Sequence, residues 1–178
     1  MTSRQGTFEE TSAGVAEVPI NPGRILRAIA RIGYTPESAI CDIVDNSVAA
    51  NAQRVAIKLE REPDMSEARR NSAARYIIAD DGDGMDPGNL VGALALGADG
   101  HYDSGSLGKY GLGLKSAGLS QGDQIEVISA RDGGSWSKVV LDLPHVEETG
   151  RLECLIMEPD STDLERVSQL LPEPGSTA

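Results

Sequence analysis

Apolar residues recur along this chain with two different periods, and the changes of period mark out the elements. From Asn21 onward, Ile25, Leu26, Ile29 and Ile32 fall at helical spacing, with Asn21-Pro22 as N-cap and first helical residue and Gly33 as the stop. Thr35-Pro36-Glu37-Ser38 opens a second helix that carries Ile40, Ile43, Val44 and Ser47 on its inner side. Alternation of Val55, Ile57 and Leu59 predicts a strand over Arg54–Glu60, and the short run Tyr76–Ala79 predicts a buried strand that delivers Asp80 at its end. Helices are predicted over Pro87–Leu96 and Gly113–Leu119. Gln124–Ala130 and Trp136–Leu143 read as a hairpin around Asp132-Gly133-Gly134, Arg151–Met157 as a strand and Leu164–Leu171 as a helix. Residues 1–17 are polar and predicted to be disordered or loosely attached, and Arg61–Ala74 reads as a solvated, charged excursion. Two helices, a strand, an excursion, a strand and a meander break βαβ alternation. That order favours an α/β (α+β) two-layer sandwich, a mixed and mostly antiparallel sheet backed by helices.

Composition narrows the functions. A chain of 178 residues suits one domain, and with one Trp, one Phe and four Tyr its core must be built from Ala, Ile, Leu and Val. Net charge is −12 without a basic block, so direct nucleic-acid binding by this segment is not expected. Cys41 and Cys154 lack metal-ligand spacing, and Cys41, inside an apolar helical pattern, is expected to be a buried free thiol. No apolar run approaches the roughly 18 residues of a membrane span. The N-terminus lacks a signal-peptide core, so no membrane association and a cytoplasmic location are expected.

Three polar motifs interrupt the apolar framework. Asp42 and Asn46 stand four apart on the second predicted helix and share a face. An Asn carboxamide oxygen suits hydrated Mg²⁺, and Asp42, one turn earlier, can orient and deprotonate an attacking water. Taken alone, the same pattern is a solvated helix face. Asp80 ends an apolar strand, and its carboxylate can accept a hydrogen bond from the exocyclic amine of adenine. Gly82 and Gly84 let the backbone pass beneath a base, and Met85 offers an adaptable apolar surface. An acidic turn is the competing reading, as is a Ca²⁺ loop of Asp80, Asp81, Asp83 and Asp86; but an EF-hand needs an entering helix and a Glu where Val91 stands. The third motif, Leu107-Gly108-Lys109-Tyr110-Gly111-Leu112-Gly113, spaces its glycines G-x-x-G-x-G, as a phosphate-cradling loop requires. A P-loop is absent, since Tyr110 follows Lys109, and a dinucleotide fingerprint lacks both its preceding strand and its third glycine, replaced by Ser116. Lys115 either contacts phosphate or is solvated. His101 and His145 have no partner pattern and read as surface or structural residues.

In this order the motifs resemble the GHKL superfamily of ATPases (gyrase, heat-shock chaperones, histidine kinases, MutL), above all its MORC-type and related bacterial branch. The likeness runs from about Asn21 to Glu158, through Ile32–Ala39 leading into Asp42–Ser47, through Asp80–Asp86 and through Leu107–Ser120. It implies the Bergerat fold, with an ATPase domain over 18–160, a nucleotide lid over about 97–113, and ATP and Mg²⁺ as ligands. Carried over residue by residue, Asp42 resembles the catalytic acid, Asn46 the magnesium ligand and Asp80 the adenine reader. Gly82, Gly84 and Met85 resemble the base-side turn, and Leu107, Gly108, Lys109, Tyr110, Gly111, Leu112, Gly113 and Lys115 the lid and its exit. Two positions depart from the family: Asp42 replaces the usual Glu, and Ala49 the second acidic residue. Gly175-Ser176-Thr177 resembles the opening of a strand that usually leads toward a transducer domain. Residues 161–178 therefore read as a C-terminal helix and the start of a strand in a truncated or minimal module. The expected function is Mg²⁺-dependent ATP binding with slow hydrolysis in a nucleotide-gated clamp, homodimeric with ATP in the parent protein, with further C-terminal domains or partner proteins. A non-hydrolysing ATP/ADP sensor is the alternative. A histidine kinase is a distant third, because no phosphoacceptor-helix pattern surrounds either His.

Overall fold

The computed structural model describes residues 15, 17–61, 74–96, 112–131 and 134–171. The expectations for the tail, the 61–74 excursion, the Asp132-Gly133-Gly134 turn, the lid glycines Gly108 and Gly111, and the Gly175-Ser176-Thr177 strand fall wholly or largely outside them. Within them lie α1 (Pro22–Ala30), α2 (Pro36–Ala49), β1 (Val55–Glu60), β2 (Arg75–Asp80), α3 (Pro87–Leu94), α4 (Gly113–Gln121), β3 (Gln124–Ser129), β4 (Ser137–Asp142), α5 (Leu143–Thr149), β5 (Leu155–Met157) and α6 (Ser161–Leu170).

Local chemistry sets most of these boundaries. Asn21 caps α1 by accepting from the Arg24 N–H at 3.0 Å, with Pro22 as the first helical residue. Thr35 and Ser38 exchange hydrogen bonds in a capping box at the start of α2. Asp160 and Asp163 form a second capping box on α6, while Asp86 caps α3 by accepting from the Asn89 N–H.

β1 pairs antiparallel with β2, and β3, β4 and β5 form a second antiparallel sheet in that order. The fold is an α/β sandwich. Ile125 and Val127 of β3 face the same way as their partners Leu141 and Val139 of β4. Onto that row pack Leu26 of α1, Leu90 and Leu94 of α3, Leu119 of α4, and Leu143 and Val146 of α5, all buried. The Arg27 guanidinium adds a polar seam, contacting Glu147 of α5 through Nε at 2.8 Å and Asp123 through Nη1 at 2.6 Å. Those two carboxylates hold Arg27 above its already high ordinary value. Lys138 alternates with core-facing Val139 and so projects from the other side of the sheet, where it meets Asp163 of α6 at 3.0 Å and Glu126 at 2.9 Å.

Four expectations need correction. A helix, α5, occupies Leu143–Thr149, where the alternating pattern suggested that β4 ran through Leu143; Asp142 accepts from the His145 N–H and Pro144 sits in the first turn. The last strand is confined to Leu155–Met157, and α3 stops at Leu94. Cys41 is exposed, not buried. The buried positions of α2 are Ala39 and Ser47, eight apart and therefore on one face, and two residues past Ala39 turns the helix by about 200°.

Gly23 marks the closest approach of α1 to α5: a Cβ there would lie 2.7 Å from Glu147 Cγ and 3.1 Å from Glu147 Cα. Gly23→Ala is therefore expected to destabilise the fold by about 1–3 kcal/mol. Gly92→Ala, on an α3 position that faces open space, should stabilise it by about 0.5–1 kcal/mol. Urea unfolding of the two variants measures the contrast.

Candidate nucleotide site

Asp80 is the last residue of β2 and is 4% exposed. Its Oδ2 accepts a hydrogen bond from the Ser47 hydroxyl of α2 at 2.8 Å, and its Oδ1 accepts from the Gly82 N–H at 3.0 Å. The first two sequence motifs are thus joined by a buried contact. Sequence reasoning placed Ser47 on the inner side of its helix but gave it no role.

The loop after Asp80 is tied to the end of α2. Asp83 N–H donates to the Ala50 carbonyl at 2.8 Å, and the Asn51 carboxamide donates to Asp83 at 2.6 Å. The backbone N–H groups of Gln53 and Arg54 donate to Asp81 Oδ1, both at 2.7 Å, and Arg54 Nε donates to Oδ2. Those bonds, the Arg54 backbone donor first, hold the Asp81 carboxyl below the usual range. Each glycine of the loop has its own reason. A Cβ on Gly82 would lie 2.7 Å from the Ala50 carbonyl oxygen, and Gly84 has φ +65°. The Met85 N–H donates to Ser129 Oγ at 2.9 Å, which fastens the loop to β3, and the Met85 side chain packs against the core. The four carboxylates of the calcium reading thus have separate partners. Among the described residues no group of three or more His, Cys, Asp or Glu stands ready to hold a metal.

On α2, one turn before Asn46, Asp42 is half-buried and its Oδ2 accepts from the Tyr34 phenol. That bond raises the phenol above its ordinary range, and Ser116 of α4 pulls the other way. Nothing local in the sequence marked Tyr34, because its partner lies eight residues on. The Asn46 side chain is exposed and has no hydrogen-bond partner among the described residues.

Leu112 and Gly113 lead into α4, which packs against α1 and α2. Leu112 stands at its N-cap and provides no side-chain bond, whereas Asn21, Thr35, Asp86, Asp142 and Asp160 cap the other five described helices. Among the described residues, the first N–H groups of α4 therefore lack the usual side-chain acceptor. Lys115 is 2% exposed, so it is not a solvated lysine; its ammonium donates to the Ala93 carbonyl in the last turn of α3 at 2.8 Å. Burial pulls it down to about 8. Leu107 through Gly111, which include Lys109 and Tyr110, lie outside the described residues. His145 has a structural partner, Glu153, at 3.0 Å; His101 lies outside the described residues.

A family model for histidine kinase-, DNA gyrase B- and HSP90-like ATPases matches residues 34–175. The chain belongs to this family. Membership places it among GHKL ATP-binding domains and agrees with the α/β architecture. Similar proteins include ATPase MORC2B of Mus musculus, 26% identical over 68% of this chain. Human ATPase MORC2 is 29% identical over 53% of it, and the DNA mismatch repair protein MutL of Rhodospirillum rubrum 31% identical over 68%. The matched stretch spans 11%, 9% and 19% of those three proteins. No helix among the described residues is long and apolar enough to cross a membrane.

Buried Lys115 gives a pH test. The unfolded chain keeps the lysine proton up to the ordinary value of 10.5, while the folded chain releases it at about 8. The unfolded state binds more protons in that window, so stability rises with pH through it. Comparing Tm of wild type with Lys115→Met, the difference is expected to shift in favour of wild type between pH 8 and 10.5. A constant difference would contradict a charged, desolvated ammonium.

Proposed function

We propose that this chain is the Mg²⁺-dependent ATP-binding module of a nucleotide-gated clamp that hydrolyses ATP slowly. The single observation that carries the reading is the Ser47–Asp80 contact, which ties α2, the helix that carries Asp42 and Asn46, to a buried carboxylate at the end of β2. The residues fit the ligands. Asp80 retains lone pairs for the exocyclic amine of adenine, and the uncapped start of α4 offers N–H groups and a favourable dipole to phosphate. Asn46 leaves a free carboxamide oxygen for Mg²⁺, which would neutralise phosphate charge when bound. Asp42 is the base. Tyr34 engages Oδ2, which leaves Oδ1 to accept the proton of a water as its oxygen attacks the terminal phosphorus. The bond to the bridging oxygen breaks, and ADP departs with that electron pair. ATP-dependent homodimerisation, and further domains or partners in the parent protein, belong to the same proposal.

A second reading, a nucleotide sensor without turnover, is favoured by the short reach of Asp42, whose carboxylate is already engaged by Tyr34. Asp42→Asn separates the two. It is expected to preserve ATP affinity while lowering phosphate release by about 10²–10⁴-fold; no turnover in wild type with excess Mg²⁺ selects the sensor. Asn46→Ala is expected to abolish Mg²⁺-dependent nucleotide binding while unfolding stays cooperative, since Ala is a good helix former and Asn46 is exposed. Titration with ATP in Mg²⁺ and in chelator, alongside thermal melts, checks it.

A further inference from the structure

We infer that Ser47 is the positioning residue that makes Asp80 select a 6-amino purine over a 6-oxo purine, an inference that rests on the proposed role of Asp80 as base reader. The terminal torsion of an aspartate is a broad, roughly two-fold rotor. A carboxylate held by nothing would therefore present its oxygens in many directions. Here the rotor is pinned from two sides. The Ser47 hydroxyl on α2 donates to Oδ2 at 2.8 Å, and the Gly82 backbone N–H donates to Oδ1 at 3.0 Å. Ser47 and Asp80 are 3% and 4% exposed, so water is a poor replacement for either donor.

An ionised carboxylate has about four acceptor directions, and these two bonds leave the others aimed in fixed directions. An amino group satisfies such acceptors. A carbonyl oxygen in the same place meets lone pairs instead, and a pinned carboxylate cannot turn away from it. The Ser47 hydroxyl has one proton and gives it to Asp80, so Ser47 acts on the base through the carboxylate. The other pin cannot be varied cleanly, because it is backbone and a Cβ on Gly82 would lie 2.7 Å from the Ala50 carbonyl oxygen. Ser47 is the half of the device that substitution can reach.

The test is calorimetric titration of the whole chain with ATP and with inosine triphosphate, whose 6-position is oxo, in Mg²⁺. Wild type is expected to prefer ATP. Ser47→Ala is expected to lose roughly tenfold in ATP affinity and most of the ATP preference. Ser47→Thr keeps the hydroxyl and should hold the ATP-to-inosine ratio within about threefold of wild type. A purely structural contact would lower the melting temperature of Ser47→Ala without moving the ratio, so the ratio decides. If wild type discriminates and Ser47→Ala discriminates equally, the inference is overturned while the Asp80 reading stands. Equal affinity of wild type for the two nucleotides, or no binding of either, overturns both. Should Ser47→Ala fail to fold, Ser47→Cys, a weak donor of similar size, supplies the same comparison with a reduced ratio expected.

Discussion

A buried carboxylate is tolerated only where donors surround it, and the architecture around Asp80 follows from that requirement. Burying an ionised group without partners is costly enough that the surroundings must supply hydrogen bonds. Here one comes from α2 through Ser47 and one from the loop through Gly82. The helix must therefore lie against the end of β2, and the loop must double back after Asp80. Asp81 and Asp83 complete the arrangement by gripping the α2–β1 connection, and Met85 passes it on to Ser129 in the second sheet. The acidic residues of this loop look alike in sequence, yet Asp80 is the buried one, and Asp81 and Asp83 hold the loop in place.

At the start of α4, polar groups have few partners among the described residues. Among these residues α4 begins without a side-chain cap, and two residues later Lys115 is buried against the Ala93 carbonyl of α3. Both features cost stability in the free chain and both favour negative charge nearby. Small residues in α4, Gly113, Ala117 and Gly118, allow this crowding; a Cβ on Gly118 would lie 2.8 Å from Ile125 Cγ1.

Much of the framework was legible in the sequence because its boundaries are chemical. Asn21-Pro22 and Thr35-Pro36 act where local side chains close the first turn, and the alternation along β3 matches a strand with one face buried. α5 was hidden because Asp142-Leu143-Pro144 continues the apolar rhythm of β4 before the chain turns helical, and the helix has only 7 residues. The exposure of Cys41 was missed because apolar neighbours at Ile40 and Ile43 broaden the stripe beyond the face that is covered. At the site, Asp80 stood out by its place after an apolar run. Tyr34 and Ser47 did not, since their significance lies in partners that only the folded chain brings near. The burial of Lys115 left no local trace, because a lone lysine in a run of small residues is equally suited to water.

One rod, α2, carries Asp42, Asn46 and Ser47, and it is anchored to β2 at Ser47, near its C-terminal end. That makes it a lever. Five residues separate the pivot from Asp42, a distance of about 7.5 Å at 1.5 Å per residue. A tilt of about 10° around the pivot would carry Asp42 through about 1.3 Å while leaving Asp80 where it is. Displacements of that size are enough to cost about a hundredfold in a reaction rate. Under the proposed role of Asp42, whatever moves the far end of α2, where the Tyr34 phenol holds Asp42, would slow the chemistry while leaving the Ser47–Asp80 contact in place.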